Sequence, residues 1–171
     1  VTIVDFGGTD DVMIHGTAAD EELFFTTADP PTTPTTEQVT RGTATAEPVI
    51  IPSDIEAVTL LGGEGNDIFH VQPTMLFPLT INGNNPTFGD AGVPPGDQLD
   101  LDTFGNSFAI NGATISVANG SPDPYTGITF RNIESFPLTP ESSGPDQRFD
   151  FNSTTGSGAT LAPTPTQAGF I

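Results

Sequence analysis

The chain has 171 residues, of which 22 are acidic; against these stand three Arg (Arg41, Arg131, Arg148) and no Lys, for a formal charge of -19. Repulsion on that scale disfavours a compact state unless cations or salt neutralise part of it, and it argues against nucleic acid and anionic membranes as partners. The chain has no Cys and so no disulfide or thiolate metal site, and no apolar stretch is long enough to insert in a bilayer.

Seventeen Pro and 19 Gly interrupt the chain too often for long helices, and the short runs between them are rich in Val, Ile, Thr and Phe. The expected class is all-β. Val1-Thr2-Ile3 opens on a strand pattern with no basic and apolar leader before it, as expected of a mature or excised segment. Gly7-Gly8-Thr9-Asp10-Asp11-Val12 then forms a turn leading into a strand. Residues 18–25 begin like a helix but end in Leu23-Phe24-Phe25, which favours turn plus strand. Residues 29–36 form a Pro/Thr loop. Further strands are expected at 49–51, 58–60, 79–81, 99–101, 108–110, 115–117 and 128–130, each with apolar residues two apart, so that one face is buried. A second long loop covers residues 84–96. The expected organisation is a β-repeat domain over residues 1–139 and a Gly/Ser/Thr/Pro-rich tail over 140–171, with one strand at 149–151.

One segment carries specific chemistry. Gly62-Gly63-Glu64-Gly65-Asn66-Asp67-Ile68-Phe69-His70 matches the calcium-binding nonapeptide G-G-x-G-x-D-x-U-x of parallel β-rolls at every specified position. Glycines permit positive φ in the turn, turn carbonyls and the Asp67 carboxylate supply hard oxygens, and Ile68 starts the next strand. An ion in such a roll lies between two turns, so a second turn must contribute. The shortened relative at residues 7–14 offers Asp10 and Asp11. The expected ligands of Ca2+ are therefore Asp10, Asp11, Gly62, Glu64, Asn66 and Asp67. Looser echoes at Pro95-Gly96-Asp97 and Gly144-Pro145-Asp146 read as ordinary turns.

Asp54-Ile55-Glu56-Ala57-Val58-Thr59-Leu60 is echoed by Asn132-Ile133-Glu134-Ser135-Phe136-Pro137-Leu138, each after an apolar strand. Glu56 and Glu134 occupy the same place in the two copies and read as solvated edges. Repetition with variable insertions favours a parallel β-solenoid of β-roll type, with a β-sandwich as the alternative.

The turns at Gly8-Thr9-Asp10-Asp11, 62–69 and Pro95-Gly96-Asp97, with the strand Ile128-Thr129-Phe130-Arg131-Asn132-Ile133-Glu134, resemble the calcium-binding, haemolysin or repeats-in-toxin-like repeat domains of large bacterial secreted and cell-surface proteins. The resemblance covers residues 1–139. It implies a surface, adhesive or matrix component stabilised by calcium, and the segment from Arg148 onward looks like the first strand of a following module.

Catalytic constellations are scarce. His15 and His70 are the only histidines and have no companion at ligand spacing, and no nucleophile elbow or phosphate loop occurs. Asp100-Leu101-Asp102 opens like an EF-hand loop, but Phe104 and Asn111 occupy ligand positions. Arg131 beside Glu134 is the one feature suited to a β-solenoid polysaccharide lyase, and Tyr125 the one exposed aromatic candidate for a carbohydrate-binding module. The expected function is non-enzymatic: an extracellular or cell-surface structural protein that assembles end to end into a layer, adhesin stalk or filament. Its expected partners are copies of itself, engaged through the tail, and a cell-surface glycan.

Overall fold

The computed structural model describes residues 2–3, 7–27, 35–42, 46–85, 96–118 and 125–136. All regular structure among them is strand: β1 (Asp11–His15), β2 (Glu22–Thr27), β3 (Thr36–Arg41), β4 (Val49–Pro52), β5 (Ala57–Gly63), β6 (Ile68–Val71), β7 (Leu79–Asn84), β8 (Gln98–Leu101), β9 (Phe108–Asn111), β10 (Thr114–Val117) and β11 (Ile128–Arg131). The protein is all-β, in two mixed sheets. No described helix is long and apolar enough to cross a membrane.

The first sheet has the order β1-β5-β7-β11-β10-β9 and the second β4-β3-β2-β6-β8. In the first, β1, β5, β7 and β11 run parallel, and in the second β2, β6 and β8 do. The chain alternates between them. β1 leads to β2, β5 to β6 and β7 to β8, and β11 leads to Ser135, which bridges Gln98 at the edge of the second sheet. Two antiparallel extensions interrupt this rhythm: β3 and β4 extend the second sheet beyond β2, and β9 and β10 extend the first beyond β11.

Period-two burial explains the strands. In β5 the side chains of Val58 and Leu60 are buried while their neighbours are half-exposed. The two inner faces meet in one core that includes Leu23, Phe25, Leu60, Phe69, Ile81 and Leu99. Each such side chain contributes about 1.5–3 kcal/mol by leaving water. Phe25 and Phe77 meet edge to face, with ring centroids 6.2 Å apart.

Every strand expected between residues 49 and 130 is present, and residues 18–25 resolve into a bend followed by β2. Among the described residues at the start of the chain, Thr2 forms an isolated bridge to Ile50, and the Ile3 amide donates to the Ile50 carbonyl at 3.0 Å. β3, with the sequence Thr-Glu-Gln-Val-Thr-Arg, carries no strand pattern, because only Val39 is apolar. It nevertheless packs inward by burying Glu37, whose carboxylate accepts the Thr74 hydroxyl. Most of the Pro/Thr loop expected at 29–36, most of the loop at 84–96 and the whole tail from 140 lie outside the described residues; Thr36, expected in the first loop, begins β3.

Candidate metal centre

Each passage from the first sheet to the second turns a corner, and the corners stack. The first corner (residues 16–21) follows β1, the second (64–67) follows β5, the third ends at Gly96-Asp97 after β7, and the fourth (132–134) follows β11. One acid from each stands in a column: Glu21, Asp67, Asp97 and Glu134.

Main-chain amides link the column. The Glu21 N–H donates to Asp67 Oδ1 at 2.9 Å, the Asp67 N–H to Asp97 Oδ1 at 2.8 Å, and the Asp97 N–H to Glu134 Oε2 at 2.7 Å. Each carboxylate thus caps the acid of the preceding corner. Glu21, in the first described corner, folds back and accepts from the N–H and hydroxyl of Thr17, at 2.5 and 2.8 Å. The two inner members are Asp and the two outer ones are Glu.

Asp67 and Asp97 are both 0% exposed. One oxygen of each, Oδ1, is satisfied as above, while the other, Oδ2, is buried without a hydrogen-bond donor. The glycines opposite show what it faces. A Cβ on Gly62 would strike Asp67 Oδ2 and the Gly83 carbonyl, and a Cβ on Gly83 would strike Asp97 Oδ2 and the Asn132 carbonyl. At each level a carboxylate oxygen and a main-chain oxygen pack against the same glycine. A carboxylate oxygen buried without a donor is costly unless a proton or a cation reaches it.

The titration of the pair reflects this. Burial raises the Asp67 carboxyl to about 7, helped by the charges of Asp97, Glu21 and Asp20 and opposed by the Glu21 amide. Burial likewise raises Asp97 to about 6, helped by Glu134 and opposed by the Asp67 amide.

The expected ligands divide into two groups. Gly62, Glu64, Asn66 and Asp67 share the second corner. There Gly63 and Gly65 take φ of 120° and 111°, the Glu64 amide donates to the Thr17 carbonyl at 3.1 Å, and the Asn66 amide donates to Asp20 Oδ1 at 2.8 Å. Asn66 Oδ1 is also buried without a donor. Asp10 and Asp11 are elsewhere. Asp11 pairs with Ala57, at the start of β5, whereas Asp67 lies beyond its end; the strand between them advances about 3.3 Å per residue. The Asp10 amide is held by Glu56 Oε2 at 2.7 Å. The turn stacked on Asp67 is therefore the one ending in Asp20 and Glu21, and the pairing of Asp67 with Asp11 is replaced by Glu21 on one side and Asp97 on the other.

Sequence reasoning overlooked Glu21 and treated Asp97 and Glu134 as bland turn or edge residues. A usable signal was present in two corners, where a strand-ending glycine precedes the acid by five residues, as in Gly16 with Glu21 and Gly62 with Asp67. The third corner hides it behind a longer loop. The repeated Ile-Glu element misled in another way: Glu56 precedes β5 and Glu134 follows β11, so the two copies sit at opposite ends of parallel strands.

Among the described residues no three His, Cys, Asp or Glu side chains converge as a metal cluster. An ion at this corner would have to draw on main-chain carbonyls beside Asp67 and Asp97, a hard-oxygen donor set of the kind calcium takes. The histidines form no pair. His15 is on β1 in the first sheet, and His70 is on β6 in the second, stacked on Phe24 at 4.4 Å with Nδ1 3.1 Å from Asp100 Oδ2. Asp102 caps the Phe104 amide at 2.9 Å in a tight turn. Tyr125 packs against the core, and Arg131 stands exposed at the end of β11.

Comparison with protein-family models, with curated proteins and with solved structures gave no match.

Proposed function

We propose that this chain is a calcium-stabilised β-solenoid of the β-roll kind, acting as a non-catalytic structural domain of an extracellular surface layer, adhesin stalk or filament. The observation that carries the reading is the pair of buried oxygens, Asp67 Oδ2 and Asp97 Oδ2, each lacking a donor and packed against a glycine, Gly62 or Gly83. Calcium there would neutralise two charges of a chain at -19 and tie three successive corners together. The proposed donors are Asp67, Asp97 and the carbonyls of Gly83 and Asn132.

The topology supports the solenoid over a sandwich. Five of the nine described strand pairings are parallel, and parallel neighbours in one sheet are joined through the other. Sandwiches built from hairpins are antiparallel instead. End-to-end assembly draws support from β1, an edge strand of the first sheet whose Val12 and Ile14 are only partly buried. The tail over 140–171 is the proposed donor to a neighbouring copy.

Isothermal titration with calcium tests the centre. Saturable binding lost in Asp67→Asn and in Asp97→Asn, with unchanged circular dichroism, is the expected result. Equal binding by all three proteins removes the site.

A further inference from the structure

The outer face of the first sheet is built differently from the carboxylate column. Strand register sets Met13 beside Thr59, Thr59 beside Thr80, Thr80 beside Thr129 and Thr129 beside Thr114. Four threonines therefore stand in single file across β5, β7, β11 and β10, about 4.8 Å from one to the next. The residues alternating with them, such as Leu60, Ile81, Ile128 and Ile115, are buried in the core, so the file faces outward. None of its four hydroxyls bonds another described residue.

The borders of the file are equally specific. Two positions before Thr59, Thr80 and Thr129 come Ala57, Pro78 and Gly127, which make a low shelf; two positions after come Leu61, Asn82 and Arg131. No acidic residue lies among these positions, in a chain with 22 acids. The outer face of the second sheet, by contrast, carries Glu22 and Asp100.

An uncharged file of solvent-facing hydroxyls and methyls, with no aromatic ring on it, suits a ligand that is itself uncharged and repeats hydroxyl and C–H groups along its length. β-Branched side chains hold few rotamers, so the hydroxyls are ordered before the ligand arrives and little entropy is lost on contact. We propose that this threonine file is a binding site for a neutral linear polysaccharide lying across the strands. The inference does not rest on the cation reading, because no residue of the file belongs to a corner.

The test uses the full chain in calcium, with soluble glucan, xylan and mannan in affinity electrophoresis and with cellulose and chitin in sedimentation. At least one of these neutral polymers is expected to bind saturably. Thr59→Val/Thr80→Val/Thr129→Val keeps the shape and strand propensity but removes three hydroxyls, and should weaken binding by about tenfold or more. Thr80→Arg, which obstructs the middle of the file, should abolish it, while Thr26→Val on the second sheet should have no effect. Folded protein that binds none of the five polymers overturns the proposal, as does a valine triple variant that binds like the parent. Binding to ice, read as thermal hysteresis, without binding to any glycan would also overturn it.

Discussion

The Asp67 amide donates to Asp97 Oδ1 at 2.8 Å, so a buried aspartate in one corner is held by a buried aspartate in the next. The contact orders both side chains and leaves both remaining oxygens buried without a donor, packed against Gly62 and Gly83. Without a proton or a cation that arrangement is costly, and the cost is open to measurement.

Calcium should raise the thermal midpoint by roughly 5–10 °C when present at a hundredfold excess over its Kd, since binding to the native state alone adds about 2.7 kcal/mol at that excess. Magnesium should do far less, because it requires a tighter octahedron. Differential scanning calorimetry with either ion against chelator checks both statements.

Asp67→Asn should lose the calcium response yet be more stable than the parent in chelator at pH 8. Its Oδ1 still caps the Glu21 amide, while an uncharged amide replaces a carboxylate whose Oδ2 is buried without a donor. A variant less stable than the parent under those conditions would show that the second oxygen is not under strain.

In chelator the folded state holds protons on Asp67 and Asp97 that the unfolded chain has released, their pKa values being raised to about 7 and about 6 from 3.8. Their contribution is fully present below about pH 4 and is lost as pH rises through 6 and 7. Urea midpoints should therefore fall between pH 5 and pH 8, and Asp67→Asn/Asp97→Asn should flatten that fall. Calcium should release protons on binding near pH 6 and leave pH unchanged in the double variant.

Gly83→Ala should destabilise by about 1–3 kcal/mol, because the added carbon meets Asp97 and the Asn132 carbonyl. Gly112 in the β9–β10 turn has open space around it and a φ of 60°, so alanine there costs conformational strain only, about 1 kcal/mol. Chemical denaturation of the two variants separates crowding from backbone preference.

Removing residues 148–171 should leave circular dichroism and the calcium response intact while abolishing end-to-end polymers in electron microscopy. Polymers that persist would transfer the assembly role to the strand edges.

The class of fold was legible because period-two alternation and the spacing of Pro and Gly are local properties, and β5, β7, β10 and β11 stand where that pattern placed them. β3 was illegible for the same reason: its burial of Glu37 depends on the Thr74 hydroxyl, 37 residues away. The nonapeptide marked Asp67 from local spacing alone, since glycine turns and a following strand are encoded within nine residues. Which acids stand beside Asp67 was decided by strand register, because the partners Glu21 and Asp97 come from separate corners and are aligned only when β2, β6 and β8 pair in parallel. The threonine file arose in the same way. Each of its members is an ordinary strand residue in sequence, and only the in-register stacking of four strands turns them into a surface.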